Sequence, residues 1–163
     1  MEEGIFRYVV FCLKEGAVRK KVRNPVVSAL MIGAAYGIYR VVGACAQPLM
    51  NVVAYHMGVE LGGLIDADKP GEALAKAADM LGLADRVVVE ERGDAIEVVL
   101  EGCNVCPKRV GGYDIQGTAC PVPGLLLGVL SSHFGVHIPP HKIGKHIEWG
   151  IGEKCSFRLP VKL

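Results

Sequence analysis

Four of the six cysteines lie after residue 102, in a pattern that suits a bound metal ion. Cys103 and Cys106 have two residues between them, and a tight turn at that spacing lets both sulfurs contact one ion. Cys120 precedes a predicted helix, whose dipole favours a thiolate over a thiol. Cys155 belongs to the last predicted strand, which could lie beside the strand that leads to Cys103. Four thiolates from these elements would form a closed tetrahedral zinc site.

The same thiols allow other interpretations. An iron–sulfur cluster accepts four thiolates as zinc does, and the sequence does not separate the two. His146 is a substitute ligand if one cysteine stays outside the site. The structural alternative is that the two distant cysteines are small core residues and the closely spaced pair are surface thiols. Cys12 and Cys45 have apolar neighbours in the sequence and are predicted to be inert core thiols.

The N-terminal elements follow from apolar patterns and turn residues. Residues 1–24 predict a β-hairpin, and Asn24-Pro25 then begins a helix with asparagine as its N-cap. Because residues 26–43 are apolar almost all round, we expect this helix to be buried. Pro48 is expected to break or kink it before a second helix over about 49–61.

The rest of the chain predicts a helix, a hairpin, a helix and a final hairpin. The first of these helices follows Pro70 and ends at Gly82, and the second follows Cys120-Pro121 and ends at Gly135. The hairpins turn at 92–94 and at 150–152, the second joining strands over 141–149 and 154–159. The segregated order predicts an α+β fold, an antiparallel sheet with the N-terminal buried helices packed on one face. With no linker in the sequence, residues 1–163 are expected to form a single domain.

A ridge of small residues marks the first helix, where Ala29, Gly33 and Gly37 recur every four residues. Glycine inside a helix costs about 1 kcal/mol relative to alanine, so such a ridge needs a reason. Close helix packing is one, within the domain or across a homodimer. A wall that leaves room for a small hydrophobic ligand is the other. The candidate pocket residues are Gly33, Tyr36, Gly37, Arg40 and His56.

Charge and length bear on partners and location. The net charge of the 163-residue chain is +1, and the basic residues before position 24 suit an exposed edge strand, so we expect no nucleic-acid partner. The longest apolar run, over 25–39, is shorter than the ~20 residues that cross a bilayer, so no membrane span is expected. The first residues do not form a signal peptide, which indicates a cytoplasmic protein with reduced cysteines.

Several motifs resemble, in their order, the 4-vinyl-reductase domain family, also called the hydrocarbon-binding domain. The resemblance covers residues 26–160, and its most specific part is the ending, a Gly-acidic turn followed by Cys-x-Phe. The matching residues are Gly62-Gly63-Leu64, Glu72-Ala73-Leu74, Leu81-Gly82-Leu83, Val87-Val88-Val89, Cys106-Pro107, Cys120 and Gly150-Ile151-Gly152-Glu153-Lys154-Cys155-Ser156-Phe157.

This resemblance implies an α+β fold related to TRAPP tethering subunits and haem-based nitric-oxide sensor domains. It also implies an apolar cavity, dimerisation through helices, and small hydrophobic molecules as ligands. The family usually has another cysteine near the start of the last hairpin, where this chain has 145–148 (Lys-His-Ile-Glu). Either Cys103 or His146 could take its place, which leaves the fourth metal ligand open.

Three functions are therefore compatible with the sequence. The first is a small hydrophobic-ligand-binding or sensor module with a structural zinc site. The second is a metal- or thiolate-dependent enzyme subunit, and the third is an interaction module without a ligand. The sequence has no G-x-G-x-x-G motif after a strand and no phosphate-binding loop, so a reductase would need electrons from a partner. This favours a role without catalysis.

Overall fold

The computed structural model describes residues 22–139, 142–144, 148–150 and 154–160. They form four α-helices and one four-stranded antiparallel sheet, which confirms the α+β class and the separation of helices from hairpins. The helices are α1 (Pro25–Val42), α2 (Ala46–Gly62), α3 (Pro70–Leu81) and α4 (Val122–Phe134). The strands are β1 (Ala84–Arg92), β2 (Ala95–Cys103), β3 (Glu148–Gly150) and β4 (Lys154–Pro160), in the order β1-β2-β4-β3.

The sheet has one buried side and one solvated side. On the buried side Leu100 pairs with Cys155, Val98 with Phe157 and Ile96 with Leu159, and α3 and α4 pack there. The other side carries ion pairs such as Lys154 with Glu101 at 2.7 Å. Strand residues alternate between the two sides because the side-chain period of a strand is two. The pairing of β2 with β4 confirms the prediction that the last strand, which carries Cys155, lies beside the strand that leads to Cys103.

Local turn chemistry is confirmed at several element ends. The first hairpin turns through Gly93-Asp94, with Gly93 at φ 64° and Arg92 opposite Ala95. Such a two-residue turn needs a positive φ, which glycine adopts without strain. Gly82 and Gly135 end α3 and α4 in the left-handed conformation, as expected. Within the segment predicted as a strand over 141–149, residues 142–144 form a 3-10 turn instead, and the described strand β3 comprises Glu148–Gly150.

The expectations for α1 are corrected in two respects. The helix is buried along one side only, at Ser28, Met31, Ile32 and Ala35, whereas Leu30 and Val41 are 68% and 83% exposed. The break before α2 falls at Gly43, which has φ 62° and ψ −136° and begins a 3-10 turn to Cys45. Pro48 lies in the first turn of α2, where a backbone N–H has no helical partner to lose.

We call the exposed side of α1 the apolar outer face; it comprises Val26, Ala29, Leu30, Gly33, Gly37 and Val41. These residues follow the three- and four-residue spacing of one helix side. No described element covers them, since α1 contacts α2 and the loop before α4 with its other side. The predicted hairpin over 1–24 falls almost wholly on residues 1–21, which lie outside the described residues.

The contact between α2 and α4 brings the two helix backbones together at glycine residues. A Cβ on Gly58 would overlap the carbonyl oxygen of Leu125, and a Cβ on Gly128 would overlap that of Tyr55. The two helices therefore approach as closely as their main chains allow, which only glycine permits. Each helix carries two glycines four residues apart at this crossing: Gly58 and Gly62 on α2, and Gly124 and Gly128 on α4.

Replacing a glycine at this crossing should destabilise the fold strongly. Gly58→Ala must push two helix backbones apart, so we expect a loss of about 3 kcal/mol or more in the free energy of unfolding. The matched control is Gly33→Ala, where an added Cβ meets no atom within 4 Å. That change should raise stability by about 0.5–1 kcal/mol, because alanine is the better helix former. Urea denaturation of the two variants measures both effects, and equal midpoints would contradict the assigned crossing.

Candidate metal centre

The four predicted cysteine ligands occupy one region of the structure. Cys103 ends β2, Cys106 begins a turn, Cys120 lies two residues before α4, and Cys155 is in β4. All four are half-buried, and no disulfide joins the cysteines that the structure describes. Negative charge on any of the other three thiols raises the pKa of Cys120, so all three lie within electrostatic range of it. The fold thus gathers thiols from four separate elements.

The thiols share a region without forming a finished coordination sphere. In the described part of the chain, no three His, Cys, Asp or Glu side chains lie close enough together to hold one metal ion. The sulfurs would have to approach one another further, by side-chain rotation or a small shift of the turn. His146, the substitute ligand, lies outside the described residues.

A tight turn presents Cys106. The backbone N–H groups of Val110 and Gly111 donate to the Cys106 carbonyl oxygen at 2.9 and 3.2 Å. The N–H of Arg109 donates to the Cys106 sulfur at 3.5 Å. A sulfur that accepts a backbone hydrogen bond carries negative charge more easily, which is the form that binds metal.

Asn104 attaches the segment between Cys103 and Cys106 to the end of α3. Its side-chain amide donates to the Gly82 carbonyl at 3.1 Å, and its backbone N–H donates to the Leu83 carbonyl at 2.8 Å. The residue is fully buried. Since a buried amide without such bonds would be costly, these contacts fix where β2 ends and the turn begins.

Gln47 holds Cys120 in place through two hydrogen bonds. The Cys120 N–H donates to Gln47 Oε1 at 2.7 Å, and Gln47 Nε2 donates to the Cys120 carbonyl at 2.9 Å. The same Nε2 lies 2.7 Å from Asn51 Oδ1, one turn further along α2. No role was predicted for Gln47. Its only signal in the sequence is a polar side chain within a long apolar stretch.

The pKa of the Cys120 thiol is shifted upward, whereas its place before a helix predicts a downward shift. Burial raises its pKa well above the ordinary value, and the neighbouring charge of Cys103 raises it further. A hydrogen bond from the Val122 backbone lowers the pKa, but by less. The expectation of a thiolate favoured by the helix dipole is therefore corrected, because the loss of water around a buried thiolate outweighs the N-terminal field.

Burial also raises the pKa of Cys155, as does the charge of Cys106, while the positive charge of Arg109 lowers it. The direction is the same as for Cys120, so two of the four thiols resist ionisation. A cation that binds here would have to displace their protons, and its affinity would rise with pH.

The candidate pocket residues are not gathered around one site. Gly33 and Gly37 lie on the apolar outer face, where an added Cβ would meet no atom within 4 Å. Arg40 is exposed beside them, and His56 is exposed on α2, with its ring edge-on to Tyr55. Tyr36 is half-buried at the border of the face. Four of the five residues therefore form or flank an open surface on α1.

Aromatic residues connect this surface to the cysteine loop. The rings of Tyr36 and Tyr113 stack with centroids 3.8 Å apart and an interplanar angle of 6°. The backbone N–H of Gln116 donates to the Tyr39 hydroxyl at 3.3 Å, and Arg40 Nη1 donates to the Tyr36 hydroxyl at 3.4 Å. The loop between Cys106 and Cys120 is thus fastened to α1.

Comparisons with known proteins give a family but no activity. The model of the MJ0207 family matches residues 36–161. The uncharacterized protein MJ0207 of Methanocaldococcus jannaschii is 32% identical over 153 residues, which cover 89% of this chain and 97% of that protein. The uncharacterized protein MJ1342 of the same organism is 38% identical over 42 residues, 26% of this chain and 34% of that protein. No solved structure matches. The 4-vinyl-reductase resemblance stays a prediction.

Removing the Gln47 side chain should loosen the start of α4. Gln47→Ala removes the side-chain amide that bonds the backbone N–H and carbonyl of Cys120. We therefore expect the free energy of unfolding to fall by about 1–3 kcal/mol. It should also speed the reaction of Cys120 with a thiol reagent. Gln116→Ala is the control, because the bond described for Gln116 is made by its backbone, and it should change stability by less than about 0.5 kcal/mol. Equal stability of the two variants would contradict the conclusion that Gln47 holds Cys120 in place.

Proposed function

The chain belongs to the MJ0207 family, and we propose that it binds a small hydrophobic molecule on the apolar outer face while a structural zinc ion holds its C-terminal elements together. The single observation that carries the first part is the exposure of an apolar, glycine-lined helix side. The second part rests on the four thiols around Cys120. Neither part requires catalysis.

The apolar outer face supports binding because its exposure is costly. Val26, Leu30 and Val41 are each at least 67% exposed, and covering such a side chain contributes about 1–2 kcal/mol. Contiguous exposed apolar surface on a folded chain usually marks a binding site. Gly33 and Gly37 leave a smooth depression between these side chains, which would let a flat or chain-like apolar molecule approach the helix backbone.

Arg40 supports an amphipathic rather than a purely apolar ligand. Its guanidinium carbon lies 5.9 Å from the centre of the Tyr36 ring, at the border of the apolar outer face. A ligand with an apolar body and an anionic end would cover the valine and leucine side chains and place its charge near this group.

The donor set supports zinc. Two thiols from a turn and two from a helix start and a strand match the four-thiolate sites that zinc prefers, and the N–H bond to Cys106 matches a ligand sulfur. Bound there, zinc would supply cross-links between β2, its turn, the start of α4 and β4. The Cys106 turn, Asn104 and Gln47 would position the sulfurs. Arg109 would offset part of the negative charge of four thiolates.

A second copy of the chain is the other partner that the glycine ridge favours. Small residues at four-residue spacing allow close helix contact, as they do between α2 and α4. A homodimer through α1 would bury the same face and serve as an interaction module without a ligand.

Metal content tests the zinc site. We expect one zinc per chain in purified protein, lost with large destabilisation in Cys120→Ser, since a missing ligand opens the shell. Cys45→Ser is the control. Cys45 is exposed in the turn between α1 and α2, so the prediction that it is a core thiol is wrong, and zinc content and stability should stay unchanged. Elemental analysis and thermal unfolding measure both. If the protein contains iron and absorbs visible light, the bound group is an iron–sulfur cluster and not zinc. If Cys120→Ser keeps its zinc and its full stability, the proposed site is contradicted.

Ligand binding is tested by extraction and by a polar substitution of the face. Organic extraction of the denatured protein, purified from its native host, should release an apolar molecule detectable by mass spectrometry. The double variant Leu30→Ser/Val41→Ser should bind the dye 1-anilinonaphthalene-8-sulfonate at least about tenfold more weakly, a loss of ~1.4 kcal/mol. Met80→Ser, at an exposed methionine on α3, should bind as wild type. Empty extracts together with unchanged dye binding would refute a ligand on this face.

A further inference from the structure

We propose that Gly102 positions Cys103 for metal binding, by turning the end of β2 so that this thiol faces the helices and not the solvated side of the sheet. The inference deepens the proposed function and rests on the zinc site for its purpose. The orientation of Cys103 itself is measurable in metal-free protein.

The regular side-chain alternation of β2 would keep Cys103 away from the other thiols. Leu100 is buried and lies opposite Cys155, whereas Glu101 bonds Lys154 on the solvated side of the sheet. Because successive strand residues point to opposite sides, residue 103 should follow residue 101 onto the solvated side. A regular strand would therefore place the sheet between Cys103 and Cys155.

The alternation is reversed at this point in both strands of the first hairpin. Arg86 and Glu101 form a pair on the solvated side, and two residues further along each strand Ala84 is paired with Cys103. Ala84 is fully buried, and Cys103 packs against the hydrophobic core. Cys103 also lies within electrostatic range of Cys120, just before α4. The second pair therefore faces the helices, although the strand period alone would turn it to solvent.

The backbone of Gly102 accommodates this reversal. Its φ of 66° lies in the left-handed region, whereas extended strands have a negative φ. Among the described residues, it is the one position inside a strand with a positive φ. An irregular glycine in a strand changes the direction of the side chain that follows it, and other residue types are strained in this conformation.

Contacts on both sides of Gly102 leave it as the place where the chain changes direction. Before it, Glu101 is held on the solvated side by its bond to Lys154. After Cys103, the buried Asn104 donates to two main-chain carbonyls that follow α3. With both neighbouring segments fixed, the φ of Gly102 determines which side of the sheet Cys103 faces.

Thiol labelling of the metal-free protein tests this orientation. Gly102→Ala should raise the rate at which iodoacetamide alkylates Cys103 by about tenfold, because a negative φ would return this thiol to the solvated side. Peptide mass spectrometry measures the rate, with the exposed Cys45 as internal reference.

Gly93→Ala is the matched control for backbone strain. Gly93 has φ 64° in the hairpin turn, so either alanine introduces the same unfavourable conformation, and both variants should lose about 2–8 °C in Tm. Only Gly102→Ala should change the labelling of Cys103. A role of Gly102 limited to burying Ala84 predicts the loss of stability without the change in labelling.

Cobalt(II) binding tests the consequence for the metal site. Gly102→Ala should bind cobalt(II) about 10–100-fold more weakly than wild type, the usual effect of losing a group that orients a ligand. Gly93→Ala should bind as wild type. Gly102→Asn should recover most of the affinity, because asparagine adopts the left-handed conformation more easily than alanine does.

Cross-linking provides a measurement that does not require a stable Gly102 variant. Dibromobimane joins neighbouring thiols, and in metal-free wild type it should join Cys103 to Cys120 or to Cys155. In the variant Cys103→Ser/Glu101→Cys, the thiol at position 101 lies on the solvated side and should be joined to neither.

The outcomes separate this inference from the function on which it rests. Equal labelling of Cys103 in Gly102→Ala and Gly93→Ala would overturn it, and so would a thiol at position 101 that cross-links as readily as Cys103. If wild type binds neither zinc nor cobalt(II), the proposed zinc site is overturned. The labelling and cross-linking results would then still support or overturn the orientation of Cys103.

Discussion

The close contact between α2 and α4 is the constraint on which the rest of the structure depends. Glycines let the two backbones touch, and the same contact fixes the ends of both helices. A Cβ on Gly124 would overlap the main chain of Asn51, whose side chain accepts a hydrogen bond from Gln47. Gln47 in turn holds both backbone groups of Cys120. The position of Cys120 is thus tied to a helix crossing at which glycines let the two backbones touch.

A second set of contacts connects the loop between Cys106 and Cys120 to α1. The loop that joins the Cys106 turn to Cys120 lies against α1, where a Cβ on Gly111 would contact Ile32 and where Tyr113 stacks on Tyr36. Contacts of α1 with this loop and with α2 engage one side of the helix only. That is the reason why a helix apolar almost all round is half exposed. Its inner side has a place in the fold, and its outer side has none among the described residues.

The sequence predicted what local chemistry determines and missed what distant contacts determine. Helix caps at Gly82 and Gly135 and the turn at Gly93 follow from the φ angles that glycine allows, so their positions were predictable. The burial of α1 and the role of Gln47 depend on segments about 70 residues apart, which periodicity does not reveal. The Cys120 pKa depends on burial, a tertiary property. The glycines at 58 and 62 and at 124 and 128 show the same four-residue spacing in the sequence, but that spacing was interpreted only for α1.

Glycine has opposite consequences in the α2–α4 pair and in α1. In α2 and α4 its cost in helix stability is offset by the backbone contact it permits. Gly33 and Gly37 on α1 carry the same cost, about 1 kcal/mol each relative to alanine, and within the described chain they make no contact that offsets it. Alanine at both positions would be more stable in the isolated fold. Within the described residues the fold therefore gives these two glycines no compensating contact, in contrast to the glycines of α2 and α4.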